Sequence, residues 1–440
     1  MFNEQQKQTK ERLQVKLSQF LSKFRPQMTL PEYNFLLDAC LGIIKSRSVI
    51  CLQMARSLNE QVTVKKICER FTRHLNKQEL GAKLRSTIIS KQCRGFDSDT
   101  AIIVDDSDIV KPKAKCMEGL KLVRDGSTGA YDKLGYDLLN IIACQDSGEG
   151  YEIKPLGSEL ISRDLEEDSL SQITEDRLVE INLASKNRGV YIFDRGYDSR
   201  YLFSFLKTTG MNYIVRSTGE RSLIIGDRER GFLEVARSVK LNQHYRDPNT
   251  NKILKCGIKR VSIRLHPHPV KHPEVIDTWL VVARHTDGPD GKSGFFYFFC
   301  DFPGQPDLNL SQIGAKVLRM YRMRWKIEEM HKHVKQAYQW EMIQLSSYTR
   351  LQNMNQLLLL TMCFLYSLKS FAASYLQAFP NIMAYTNQDW KKIFGFIYYK
   401  LTMLLNECFS LVTRRKINPY TGVWAEKNQL IIPCLKNGGM

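Results

Sequence analysis

Two short apolar runs in this sequence end in acid, and a further acid stands among cations in a strongly patterned stretch downstream. AIIVDD carries Asp105 and Asp106, GVYIFD carries Asp194, and MYRMRWKIEEMHKHVKQ carries Glu328. In the last of these, Tyr321, Arg324, Glu328 and Lys335 fall at offsets of 0, 3, 7 and 14. At about 100° per residue those offsets share one helical face, so the spacing predicts a single helix presenting all four side chains. Met320, Met323, Ile327, Met330 and Val334 repeat the pattern one residue earlier, a stripe suited to packing in a core. Carboxylates are hard donors for magnesium-like cations. Arginine and lysine one or two turns away suit phosphate oxygens. The chemistry to expect is metal-assisted reaction at a phosphodiester. Any one of these residues alone reads as well as part of a basic amphipathic helix with salt-bridged glutamates; the combination favours a site.

The acids need elements that bring them together. AIIVDD and GVYIFD read as buried, neighbouring parallel strands, which would offer Asp106 and Asp194 at their C-terminal ends, where open α/β sheets bind ligands. Asp105, Asp108 and Asp198 compete for the role. Asp108 is expected to face solvent and Asp198 to cap a helix. Strand alternation does not separate Asp106 from Asp105, because both faces of such a strand are buried.

Around these strands the texture is mixed. Residues 1–95 read as helices and as a DNA-binding domain or a plain helical bundle. A core begins at 96, with LGYDLLNIIACQD and GYEIKPL forming a hairpin across SGEG, a helix in LEEDSLSQITEDRLVEINLAS, and SRYLFSFLKTTG closed by Gly210 ahead of the strand MNYIVRS. From 220 to 308, KRVSIRLHP, DTWLVVARH and GFFYFFCDF, broken by DPNTN and DGPDG, predict an inserted β-rich subdomain. Helical patterning returns over 309–376 and closes the core. A C-terminal helical region, 377–440, contains WKKIFGFIYYKLTMLL and a basic TRRK. The fold class expected is α/β: a mixed-sheet core flanked by helices, whose order of strand, hairpin, helix, strand, helix, strand is similar to an RNase H-like core.

Composition narrows the partners. Lysine and arginine number 64 against 46 acids, a net charge of +18, with half of that excess in the first 100 residues. Such a balance suits a polyanion held through phosphates. The polar N-terminus lacks the apolar stretch of a secretory signal. The longest apolar run, Leu357 to Leu368, reads as too short to span a bilayer and therefore as a buried helix. Eleven scattered cysteines without a CxxC pair predict reduced thiols rather than a disulfide framework or zinc site. A cytoplasmic protein without a membrane partner is expected.

The spacing Tyr-x2-Arg-x3-Glu-x6-Lys resembles the signature of bacterial cut-and-paste insertion-sequence transposases of the Asp-Asp-Glu class, family-four type. IVDDSD resembles that family's first-aspartate segment, in which the acid precedes Thr or Ser, making Asp106 the match. IFDRGYD resembles the second, making Asp194 the match. The resemblance covers roughly 100–340 and includes a long β-rich insertion before the glutamate. It implies two Mg²⁺ or Mn²⁺ ions held by Asp106, Asp194 and Glu328, cutting transposon ends and joining them to target DNA. It implies phosphate contacts by Arg324 and Lys335, and a backbone contact by Tyr321. It also implies an aromatic from the insertion stacked on a flipped base, for which Tyr297 is the candidate and Trp279 the alternative. The partners implied are double-stranded DNA, as terminal inverted repeats and target, and a second copy of the chain in a synaptic dimer. Two other readings compete: a related endonuclease or domesticated transposase lacking strand transfer, and a non-catalytic DNA-binding regulator.

Overall fold

Ala101–Val104 and Val190–Phe193 are apolar at every position and wholly buried, which puts their strands in the middle of a sheet covered on both faces. The computed structural model describes residues 3–410 except 124–128, 132, 149, 248–250, 266–273, 286–293 and 385–395. Five helices come first: α1 (Glu4–Ser22), α2 (Leu30–Ser46), α3 (Cys51–Ser57), α4 (Val64–Leu75) and α5 (Glu79–Gln92). Asn3, Thr29 and Thr63 cap α1, α2 and α4, each accepting a hydrogen bond from the amide three residues on. Next come β1 (Ala101–Val110), β2 (Lys121–Val123), and the expected hairpin of β3 (Lys133–Asp146) and β4 (Tyr151–Ile161). Then α6 (Leu170–Ala184), β5 (Val190–Phe193), α7 (Arg200–Thr209) and β6 (Tyr213–Arg216) follow in the expected order. Gly210 closes α7 in the left-handed region, at φ 61°.

The stretch from 220 to 308 supplies β7 (Leu223–Ile225), β8 (Arg228–Arg230), α8 (Phe232–Ser238), β9 (Gln243–Arg246), β10 (Ile253–Arg264), β11 (Val275–His285) and β12 (Phe295–Asp301). Its strands extend the core sheet beyond β6. β12 pairs antiparallel with β6, Phe298 opposite Arg216, and the sheet runs β2-β3-β1-β5-β6-β12-β11-β10-β7-β8. Only β1–β5 and β5–β6 pair in parallel among the described strands, so the sheet is mixed. DGPDG and part of DPNTN lie outside the described residues.

The chain returns through α9 (Leu310–Arg322), α10 (Trp325–Ala337), α11 (Tyr348–Tyr366), α12 (Ala372–Gln377), α13 (Pro380–Ala384) and α14 (Tyr398–Ser410). Part of WKKIFGFIYYKLTMLL and all of TRRK lie outside the described residues. Two apolar clusters sandwich the sheet: one joins it to α9, α10, α11, α14 and the N-terminal helices, and the other to α6, α7 and α8. The N-terminal helices therefore share a core with α11 and α14.

The apolar run is longer than its sequence suggested: Tyr348–Gln377 is long and apolar enough to cross a membrane. Its polar residues show what surrounds it. Asn353 donates to the carbonyls of Leu75 and Lys77, and Asn355 and Gln356 donate to that of Ser158. These buried amides have partners in the protein itself, as a core helix requires. All ten described cysteines are free thiols and most are buried.

Candidate active site

β1 does not stop at its acids. It runs on to Val110, paired with β3 from Asp105 opposite Asn140 to Val110 opposite Gly135, whereas β5 ends at Phe193. Asp105 and Asp106 thus lie where β1 outruns its parallel neighbour, and they leave opposite faces. Ala101 and Ile103 pack in the cluster under α9–α11, and Ile102 and Val104 in the cluster under α6 and α7. Continuing that alternation, Asp105 points toward α10 and Asp106 toward α7. Val190 and Ile192 lie on the same face as Ile103, so Asp194 emerges beside Asp105.

The contacts agree with this assignment. Arg324 Nη1 lies 3.4 Å from Asp105 Oδ2 and 3.7 Å from Asp194 Oδ2, and Nη2 contacts Glu328 Oε1. Asp105, Asp194 and Glu328 therefore surround one guanidinium. Asp106 is not among them: its Oδ1 accepts a 2.6 Å hydrogen bond from Tyr197 Oη. The place beside Asp194 and Glu328 expected of Asp106 is held in the structure by Asp105, because a one-residue step along a strand moves a side chain to the other face.

Burial, reinforced by Asp106, Asp194 and Glu328 and opposed by Arg324, pushes the Asp105 carboxyl up to about 7. Burial also raises Asp106 to about 6, against the Tyr197 hydroxyl. A buried carboxyl amid other acids calls for a cation, and carboxylate oxygens are the donors a hard divalent ion takes. Among the described residues no three acidic, histidine or cysteine side chains stand close enough to hold a metal directly. The guanidinium lies between the carboxylates. His331 and His333 are held down to about 3, chiefly by burial. Both are neutral at pH 7. His333 faces Tyr366 Oη and Thr402 Oγ1 at 3.1 and 2.9 Å, tying α10 to α11 and α14.

The expected single helix is two. The amides of Met323 and Arg324 bond to carbonyls three residues back, Met320 and Tyr321, at 3.0 Å each, and α10 restarts at Trp325. This tightened junction places Arg324 at the head of α10, one turn before Glu328. Tyr321, at the end of α9, packs on Phe298 with ring centroids 4.8 Å apart and lies beside Arg216. Lys335 pairs with Glu341 at 3.2 Å and approaches Asp108 at 4.0 Å, so Asp108 is turned toward a lysine and not toward solvent.

Three other expectations change. Asp198 does not cap α7; Ser199 does. Asp198 is buried and accepts from Ser217 Oγ, Thr218 N and Arg221, fixing the turn after β6. Tyr297 alternates with Phe298 to the opposite face from Asp194, where its ring meets Phe232 edge-on at 4.9 Å. It is thereby turned away from the acids. Trp279 is on their face but three strands across from β5, with Arg260 5.1 Å over its ring. An aromatic the spacing overlooked is Trp325, which is 58% exposed next to Arg324. Its signal was available: a large aromatic on the polar side of a basic helix.

A family model described as the transposase DDE domain matches residues 98–365, from just before β1 to the end of α11. No curated protein sequence matches the chain.

Proposed function

Since the chain belongs to the transposase DDE domain family, we propose that it cuts the ends of a transposon and joins them to target DNA, with Asp105, Asp194 and Glu328 as the three acids. The observation that carries this reading is their convergence on Arg324 from two adjacent strands and a helix. Asp105 replaces the Asp106 of the sequence reading. Two Mg²⁺ or Mn²⁺ ions bound there would stabilise the attacking and leaving oxygens of an in-line displacement. The first reaction is hydrolysis: water forms a bond to phosphorus, the P–O3′ bond breaks, and a free 3′-hydroxyl remains. In the second, that hydroxyl attacks a phosphodiester of target DNA and one P–O bond is exchanged for another.

This chain's own residues bind and orient. Arg324 and Lys335 supply cations for the phosphates flanking the scissile bond, Tyr321 positions the backbone beside them, and the exposed Trp325 offers an apolar surface to an unpaired base. The order of β1, β3–β4, α6, β5, α7 and β6 supports an RNase H-like core. The basic N-terminal helices serve as the DNA-holding region. Two copies acting on paired ends form the working assembly, in the cytoplasm. The test is a gel assay with a labelled duplex bearing the inverted repeat that flanks the gene. Nicking at the repeat boundary with Mg²⁺ and none with EDTA is expected; a metal-independent band shift without nicking would leave a DNA-binding regulator.

A further inference from the structure

Arg324 carries a positive charge to the one place where the proposed reaction needs a cation. Its guanidinium spans the gap between Asp105 on β1, Asp194 after β5 and Glu328 on α10, and its side chain is only 13% exposed. Three converging carboxylates repel one another unless a positive group lies among them. A single guanidinium does that and still leaves the cluster net negative, hence still attractive to a divalent ion. It also blocks the ion, because a guanidinium has no lone pair to offer and repels a second cation.

The backbone around Arg324 is suited to release. The residue stands at the tightened junction between α9 and α10, its amide bonded to Tyr321 O. Only the side chain needs to turn for the fork to leave the acids. A DNA phosphate is a natural destination, since guanidinium binds phosphate through two parallel hydrogen bonds.

Resting on the reading of these acids as a metal-binding set, we propose that Arg324 is a displaceable plug that couples metal loading to DNA binding. Without DNA it occupies the middle of the cluster and weakens metal binding. With DNA its guanidinium moves to a phosphate, and the acids, held too far apart for a metal while it stands between them, close on the ions. Coupling of this kind is reciprocal, so metal strengthens DNA binding by the same factor. The chain is thereby kept from assembling a cutting site until DNA is present.

The test is Mn²⁺ binding to the full chain, followed by the electron paramagnetic resonance of free Mn²⁺ at low salt, for wild type, Arg324→Ala, Arg324→Lys and Glu328→Gln. Arg324→Ala should bind Mn²⁺ about tenfold more tightly than wild type without DNA, and Arg324→Lys should fall between them. A short generic duplex, corrected for the Mn²⁺ it holds itself, should tighten wild-type binding and leave Arg324→Ala unchanged. Equal or weaker Mn²⁺ binding by Arg324→Ala, alongside weakened binding by Glu328→Gln, would overturn the plug and leave the metal site standing. Wild-type affinity in Glu328→Gln would remove the metal site and the plug together. Should Arg324→Ala fail to fold, wild-type affinity in Arg324→Lys overturns the plug.

Discussion

Replacing Asp105 by Asn, and in parallel Asp106 by Asn, separates two adjacent acids that the strand sends to opposite faces. Asp105 Oδ2 lies 3.4 Å from the Arg324 guanidinium, an attraction of about 5 kcal/mol at an effective dielectric of about 20. A divalent ion at similar range would gain roughly twice that, and desolvation of the carboxylate cancels much of it. A net loss of about 3–4 kcal/mol remains, two to three powers of ten in cleavage rate. Asp106 presents a different balance. Its partner is the Tyr197 hydroxyl at 2.6 Å, and the amide oxygen of the replacement still accepts that bond. About 1 kcal/mol of stability is lost, and cleavage should stay within about fivefold of wild type. The assay is single-turnover cutting of the labelled terminal repeat in Mg²⁺, with binding of the repeat measured separately to show that both variants still engage DNA. An inactive Asp106→Asn beside an active Asp105→Asn would refute the face argument.

Asp198→Ala leaves Arg221 and the turn after β6 without their buried carboxylate and should cost about 3–5 kcal/mol in urea unfolding; a loss under about 1 kcal/mol would contradict that role. Glu32 has a folded-state carboxyl near 2: burial pushes it up, but the Thr29 amide and hydroxyl and the Lys77 amine outweigh burial. Because that value lies below the ordinary one, its stabilisation, about 3 kcal/mol, is present above pH 4.5 and fades as pH falls toward 2. Glu32→Gln should therefore be much less stable than wild type at pH 7, with the gap cut to less than half near pH 3 and nearly closed by pH 2; a pH-independent gap is the contrary result. Tyr297→Ala should lower the melting temperature through lost contact with Phe232 and leave the fluorescence of 2-aminopurine at the transposon end unchanged, whereas Trp325→Ala should change that fluorescence with little effect on melting. The reverse pattern would return the stacking role to Tyr297.

Element type was legible wherever a periodic pattern ran its full length. The hairpin around SGEG and the Gly210 terminus both rest on short-range chemistry that survives in the fold. Asp194 and Glu328 were legible for the same reason, one following a buried strand and the other on the polar face of a methionine stripe. Asp105 was not, because its side chain is chosen by the pairing of Ile103 with Ile192, a contact between residues 89 positions apart. The division of the signature helix into α9 and α10 was hidden too. YRMRW contains no proline or glycine, and the turn tightens through backbone bonds at Met323 and Arg324 that no residue type announces. Where the insertion joins the core was not legible, because alternation reports a strand but not its neighbour; β12 pairs with β6 across a long stretch of sequence. Asp198 was misplaced by one residue, with Ser199 taking the cap it resembled.

The most direct measurement is anomalous diffraction from crystals of the chain soaked in Mn²⁺ with a bound duplex. Anomalous density bounded by Asp105, Asp194 and Glu328, with the Arg324 guanidinium displaced onto a phosphate, is the predicted result. Density against Asp106 and Tyr197 on the other face of the sheet, or none beside Glu328 at saturating Mn²⁺, would contradict the account.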